Sequence, residues 1–260
     1  APGDDLRHID WRIFARSERL VVKEYIEESN LIANIVLDTS GSMGFAGSGA
    51  DGEATWSKLD YGRWVAAALG QLILGQRDTL GLLTFDTESH QILPPAGGSH
   101  QRAALLNQLQ AAIPGGETEE GASLTQVVRH MPGRGIAIVI SDFLGEIPDI
   151  FKGVEALIAQ GHEPILLQVL HPRELDFSFD GYLRLEDLEG SGQLKVDARV
   201  LRDAYLEEVE AHQAQLAAKA AAYAVDFVPM RTNTGVDVAL SHYLAARSAG
   251  PVRNSGGIGR

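Results

Sequence analysis

The stretch LIANIVLDTSGSM, residues 31–43, decides the fold. It opens with an almost continuous apolar run, which is typical of a strand buried on both faces of a parallel sheet. Similar runs recur and alternate with longer segments of helical periodicity. The predicted strands cover 31–37, 79–85, 136–140, 164–170 and 225–228, and the predicted helices cover 59–74, 101–112, 123–130, 147–159, 198–223 and 236–246. We therefore predict one doubly wound α/β domain, with a mostly parallel sheet and helices on both faces.

Three segments fall outside this alternation. Residues 1–30 are predicted to form an N-terminal arm, and its alternating end at 20–26 indicates an added edge strand. Residues 181–196 are predicted to form a small β-hairpin inserted in the domain, with a Gly-rich turn. Residues 249–260, rich in Gly, Ser and Pro, are predicted to be a disordered tail. The α/β domain itself is therefore assigned to 31–248.

The composition excludes several classes of function. The chain has 260 residues, of which 45% are hydrophobic and 22% charged, so it can bury a core. Its formal net charge of −13 disfavours binding to nucleic acid, and the absence of cysteine excludes thiol chemistry and disulfides. No apolar run approaches the about 20 residues that a membrane-spanning helix needs, and no signal peptide is evident. These features predict a cytoplasmic location; an anchor upstream of Ala1, where the chain begins without methionine, stays an open alternative.

Oxygen-bearing side chains follow the strands at the edge where parallel α/β sheets bind ligands. Asp38, Ser40 and Ser42 leave the first strand together, Thr118 stands just before a helix, and Asp142 follows the buried strand 136–140. Two carboxylates and three hydroxyls form a hard, all-oxygen ligand set that suits Mg²⁺ or Mn²⁺. The sequence therefore predicts a metal site made of these five residues.

The charge of this ligand set predicts what the metal would do. Two carboxylates, one of them acting through water, under-neutralise a divalent cation and leave it one open position. A carboxylate of a partner protein can take that position. No side chain beside this motif looks like a general base or a nucleophile with an activating partner. We therefore expect a protein-binding site and not an enzyme.

The motif DTSGSM at 38–43, with Thr118 and Asp142, resembles the metal-ion-dependent adhesion site of von Willebrand factor type A domains. The segments GDDLRHIDWR at 3–12, LVVKEY at 20–25 and DARVLRDAY at 197–205 resemble one bacterial and archaeal branch, the domain of unknown function 58 family. The resemblance covers essentially the whole chain, although the family signature usually begins upstream of Gly3. It implies a non-catalytic adaptor that works with an AAA+ ATPase of the MoxR type.

Two alternatives remain at the level of sequence. A metal-dependent hydrolase or phosphatase would use Asp38 as its nucleophile, but Ser40 stands where such enzymes normally carry a second acid. A degenerate domain would keep the fold with a purely structural role and would bind no metal.

Apolar residues beside and behind the metal motif have two predicted roles. Met43 and Phe143 each follow a proposed ligand, where they either shield the metal or simply pack in the core. The helical spacing in 59–74 predicts core positions for a further set of residues. These are Trp64, Val65, Leu69, Leu72 and Ile73.

Overall fold

The computed structural model describes residues 31–47, 56–86, 90–115, 120–131, 133–179, 181–186 and 193–249. Its main sheet has six strands in the order β3-β2-β1-β4-β5-β8, and every neighbouring pair is parallel except β2 with β3. The strands are β1 (Ile32–Asp38), β2 (Thr79–Phe85), β3 (His90–Ala96), β4 (Gly135–Ser141), β5 (His162–Leu170) and β8 (Asp226–Arg231). The predicted α/β fold class is confirmed.

Helices lie between the strands and cover both faces of this sheet. They are α1 (Lys58–Gly75), α2 (Gly98–Ala111), α3 (Glu120–Val128), α4 (Ile147–Ala159), α5 (Pro172–Asp176), α6 (Ala198–Ala222) and α7 (Val236–Ala249). Successive side chains of β1 pack alternately into two cores, because side chains along a strand point to opposite faces of the sheet. Ile35 belongs to the core cluster that holds Val65 of α1, and Val36 belongs to the cluster that holds Phe151 of α4. This double burial explains the nearly continuous apolar run that predicted the strand.

Strand β3 was not predicted from the sequence. It carries Pro94 and Pro95, which cannot donate backbone hydrogen bonds to a ladder, and such residues are confined to sheet edges. Among the strands that the structure describes, β3 lies at the edge of the sheet and pairs, antiparallel, with β2 alone. A separate antiparallel pair, β6 (Tyr182–Glu186) and β7 (Gln193–Asp197), lies where the sequence suggested a hairpin.

The core prediction for helix α1 is partly wrong. Val65 and Leu69 are buried and Ile73 packs against the same cluster, but Trp64 is 59% exposed and Leu72 is 46% exposed. Trp64 instead stacks on Trp56, with ring centroids 5.9 Å apart. Helical spacing alone did not reveal that Trp64 lies at the surface, where it pairs with a residue that precedes the helix.

Several predictions lie outside the described residues. They concern the N-terminal arm 1–30 with its edge strand, the hairpin turn 189–192, and the tail from 250 onward. Across the ranges that the structure describes, no helix is both long enough and apolar enough to cross a bilayer.

Candidate metal centre

The centre of the sheet positions the two carboxylates of the candidate site. The chain leaves β1 toward β2 on one side, and β4 flanks β1 on the other, so the strand order reverses between β1 and β4. Leu37 of β1 pairs in register with Ile140 of β4, which brings the carboxyl ends of both strands together. Asp38 ends β1 and Asp142 directly follows β4, at the place where open α/β sheets bind ligands.

Asp38 is fully buried and both of its oxygens accept hydrogen bonds. The backbone N–H of Ser40 donates to Oδ1 at 2.8 Å, and the hydroxyl of Ser141 donates to Oδ2 at 2.6 Å. Burial, and next the charge of Asp142, raise the pKa of Asp38 to about 7, although these hydrogen bonds work in the opposite direction. A second negative charge beside Asp142 is therefore unfavourable, and a bound cation would relieve it.

The two serines of the motif present their hydroxyls side by side. A short 3-10 helix, Gly41–Gly44, turns the chain after Ser40 and brings the Oγ atoms of Ser40 and Ser42 to 3.1 Å from each other. The intervening Thr39 points elsewhere, because its hydroxyl donates to the carbonyl of Phe85 at 2.9 Å. The spacing of the motif thus brings Ser40 and Ser42 together and leaves Thr39 in a structural role.

Asp142 is the most unusual acceptor in the site. It is fully buried, and its Oδ1 has no hydrogen-bond partner in the described part of the chain. Its backbone carbonyl accepts a hydrogen bond from Gln168 Nε2 at 3.0 Å, which fixes the strand end. A buried carboxylate oxygen without a partner is unfavourable unless a bound ion or water completes it. This oxygen fits a metal ligand.

The other oxygen of Asp142 reveals a residue that the sequence did not single out. The ammonium of Lys58 donates to Asp142 Oδ2 at 2.6 Å and to Glu174 Oε1 at 2.6 Å, and all of the Lys58 side chain is buried. Burial opposes the charge of Lys58, but Asp142 and Glu174 outweigh it and raise the pKa of Lys58. One feature could have drawn attention to Lys58. It occupies the first position of α1, where the helix dipole disfavours a cation.

Two apolar residues sit beside the ligands. Met43 and Phe143 are buried, and Phe143 adopts a left-handed backbone conformation with φ of 50°. Its N–H donates to the hydroxyl of Ser141 at 3.0 Å, so the same serine orders both Asp38 and the turn after Asp142. Met43 belongs to the core cluster on one face of the sheet, and Phe143 belongs to the cluster on the other face.

Four of the five predicted ligands lie at one edge of the sheet, linked by contacts through Asp38 and Ser141. The fifth, Thr118, lies outside the described residues. Among the described His, Cys, Asp and Glu side chains, no group of three or more is arranged to hold a metal, so any ion here depends on hydroxyls as well as carboxylates. The donor set is hard and oxygen-only, which fits Mg²⁺.

The comparisons with known proteins agree with this fold. Residues 1–215 match the family model described as "Protein of unknown function DUF58". The chain belongs to this family, as the sequence motifs predicted. An uncharacterized protein of Mycobacterium tuberculosis, Rv1480, is 28% identical over 254 residues, which cover 96% of this chain and 77% of that protein.

Two solved structures share the architecture at low sequence identity. The conserved hypothetical protein BatB from Bacteroides thetaiotaomicron is 16% identical, with a TM-score of 0.50 over 85% of this chain and 100% of its own. An aerotolerance-related membrane protein from Bacteroides fragilis is also 16% identical, with a TM-score of 0.51 over 83% and 99% of the two chains. A von Willebrand factor type A protein from Catenulispora acidiphila matches 58% of this chain and 34% of its own at 15% identity, with a TM-score of 0.38.

Proposed function

We propose that this protein is a Mg²⁺-dependent protein-interaction module. Asp38, Ser40, Ser42, Thr118 and Asp142 would hold the ion, and an acidic side chain of a partner would complete its coordination. The observation that carries the proposal is the buried, unpartnered Oδ1 of Asp142 beside a second buried carboxylate. The bound ion would supply an electrophilic position for that acid, while the chain itself orients the ligands.

The partner we propose is an AAA+ ATPase of the MoxR type, for which this chain would serve as a non-catalytic adaptor. The support is the family resemblance, together with a site whose described residues lack a free nucleophile. Both oxygens of Asp38 are already engaged in hydrogen bonds and its side chain is fully buried, which leaves it poorly placed to attack a substrate. Cytoplasmic residence stays a prediction.

Thermal unfolding with and without millimolar Mg²⁺ or Mn²⁺ tests the metal site. An ion that binds only the native state stabilises that state by about 2.7 kcal/mol when the ion concentration is about 100 times Kd. We expect a metal-dependent rise in Tm for the wild type that Ser40→Ala largely removes. Asp149→Asn, which changes a half-exposed carboxylate on α4, is the matched control and should keep the full rise.

The same preparations separate the alternatives. No rise in Tm with either metal would contradict the metal site and support the degenerate domain. Turnover of a generic aryl phosphate that Asp38→Asn abolishes would contradict the non-catalytic adaptor and support the hydrolase. Metal-dependent capture of a purified MoxR-type ATPase, lost in Ser40→Ala, is the result expected for the proposed partner.

A further inference from the structure

A cavity of about 500 Å³ opens beside the candidate metal centre. It lies between the start of α1, the start of α5 and the segment that leads from β8 into α7. Its apolar walls come from Trp56, Tyr61, Pro172 and Val236. Its size and its mostly apolar walls with a few polar groups are those of a binding site for a small group.

The strongest pointer to a ligand is the hydroxyl of Tyr61. The Tyr61 side chain is 1% exposed, lines the cavity, and its Oη has no hydrogen-bond partner within the described ranges. Burial, and next the charge of Asp237, raise the pKa of Tyr61, so the hydroxyl stays protonated and can donate. A buried donor without an acceptor is unfavourable, and a bound group with a carbonyl oxygen would satisfy it.

The charges near the cavity favour an uncharged occupant. Asp237 lies in the first turn of α7, where its carboxylate occupies the region that an anion would otherwise use. Arg173 lines the cavity but its guanidinium lies 5.8 Å from the ring of Phe179, and it has further contacts of its own. An acidic occupant would be repelled by the carboxylate of Asp237. An apolar side chain could instead pack against the indole of Trp56.

The cavity and the metal centre share a wall. His171 lines the cavity and contacts the ring of Phe45, which follows the metal motif, with centroids 5.3 Å apart. The backbone of Gly47, at φ of 60°, lies so close to His171 that a Cβ there would collide with the imidazole. The ammonium of Lys58 lies 5.9 Å from the Phe45 ring and 2.6 Å from Asp142. These contacts place the His171 wall of the cavity within the reach of about four extended residues from Asp142.

The mouth of the cavity carries exposed aromatic surface. Trp56 is 47% exposed and stacks on Trp64, which is 59% exposed. Tryptophan and tyrosine dominate the residues that contribute most to protein interfaces, and an exposed aromatic pair is uncommon on a surface without a partner.

We propose that this cavity binds an apolar side chain of the partner segment whose acidic residue completes the metal site. The proposal rests on the function proposed above for the metal centre. The partner's side chain packs against Trp56 and Val236, and a carbonyl of the same segment accepts a hydrogen bond from Tyr61. Recognition then requires an acid and an apolar residue within about four positions of each other.

Selection of phage-displayed random peptides in Mg²⁺ tests whether the cavity binds an apolar side chain next to the acid. Wild-type protein should enrich peptides that carry Asp or Glu and, at a fixed short spacing, Leu, Ile, Phe or Trp. Against Trp56→Ala, the acid should remain enriched and the apolar residue should not. Leu106→Ala, which shortens a similarly exposed residue on α2, should select the same peptides as wild type.

Measured affinities then test the contacts. Replacing the apolar residue of a selected peptide with Ala should weaken binding to wild type by about 10- to 100-fold, and should have little effect on binding to Trp56→Ala. Tyr61→Phe should leave Tm unchanged or raised, because the hydroxyl has no described partner, yet weaken peptide binding several-fold.

The outcomes separate this inference from the proposed function. Enrichment of acids alone, or apolar enrichment that Trp56→Ala does not change, would overturn the cavity proposal and leave the metal site standing. Apolar enrichment that persists without acids and in EDTA would support the cavity and contradict the proposed function. A selection that yields no enriched peptide would overturn the cavity proposal, while the thermal unfolding test still decides the metal site.

Discussion

At the scale of single residues, Lys58 matters most. Its ammonium neutralises Asp142 through Oδ2 and leaves Oδ1 without a partner, while Glu174 shares the same charge from the other side. Because Lys58 holds one oxygen of this proposed ligand, it orients the carboxylate and would compete with a bound cation for its charge. Sequence inspection could not predict this arrangement, because Glu174 lies 116 positions away and only the fold brings it to Lys58.

Lys58→Met tests this dual role. Removing one partner of a buried ion pair leaves uncompensated carboxylates, so we expect the free energy of unfolding of the metal-free protein to fall by about 3–5 kcal/mol. Mg²⁺ should then stabilise the variant more than it stabilises wild type, because the ion replaces the lost positive charge. Denaturant unfolding in EDTA and in Mg²⁺ measures both effects.

A matched substitution shows whether burial is responsible. Lys152→Met removes a lysine whose side chain is 69% exposed and pairs with Asp149 on α4. Solvent screens a pair this exposed, so the variant should unfold almost as wild type does, with the same response to Mg²⁺. An equal loss in both variants, or a smaller Mg²⁺ effect in Lys58→Met than in wild type, would contradict the role assigned to Lys58.

At the scale of elements, α1 connects the metal centre to the cavity, since it carries both Lys58 and Tyr61. Its start is fixed by a capping box: the Ser57 hydroxyl accepts from the N–H of Asp60 at 3.0 Å, and Asp60 accepts in return from Ser57. Ser57→Ala should lower the free energy of unfolding by about 1 kcal/mol. Denaturant unfolding measures the loss.

The cap substitution also separates stability from metal binding. Because Ser57 contacts no proposed ligand in the described structure, the Mg²⁺-dependent gain in Ser57→Ala should equal that of wild type. Ser248→Ala, which removes an exposed hydroxyl near the end of α7, should change the unfolding free energy by less than about 0.5 kcal/mol. A loss in Ser57→Ala no larger than that of Ser248→Ala would contradict the assigned cap.

Elements differed in how well the sequence predicted them. Strands buried on both faces, such as β1 and β2, have apolar runs long enough to be recognised, and β2 was predicted with its observed bounds. The edge strand β3 escaped because Pro94 and Pro95 argue against a strand, and only its edge position permits them. The five-residue helix α5 was also missed, because it is too short to show periodicity.

At the scale of the whole molecule, the alternation of strands and helices predicted the sheet, and the sheet determines where the candidate site lies. The sequence could predict that the candidate ligands at the ends of β1 and β4 lie together, because parallel strands end at one edge. The cavity could not be predicted, because its walls come from three separate parts of the chain that only packing brings together.

The net charge of −13 gives the last prediction at this scale. An acidic partner segment is repelled by the field of the whole chain but attracted by a bound cation at short range. Salt screens the first effect, since the Debye length falls from about 30 Å at 0.01 M to about 8 Å at 0.15 M, whereas coordination to the ion is hardly screened. The association rate constant of a selected acidic peptide in saturating Mg²⁺ should therefore rise with NaCl over this range, as stopped-flow fluorescence would measure. Its Gln-substituted counterpart should show a smaller dependence, and a rate that falls with salt would mean that the approaching segment meets a positively charged surface instead.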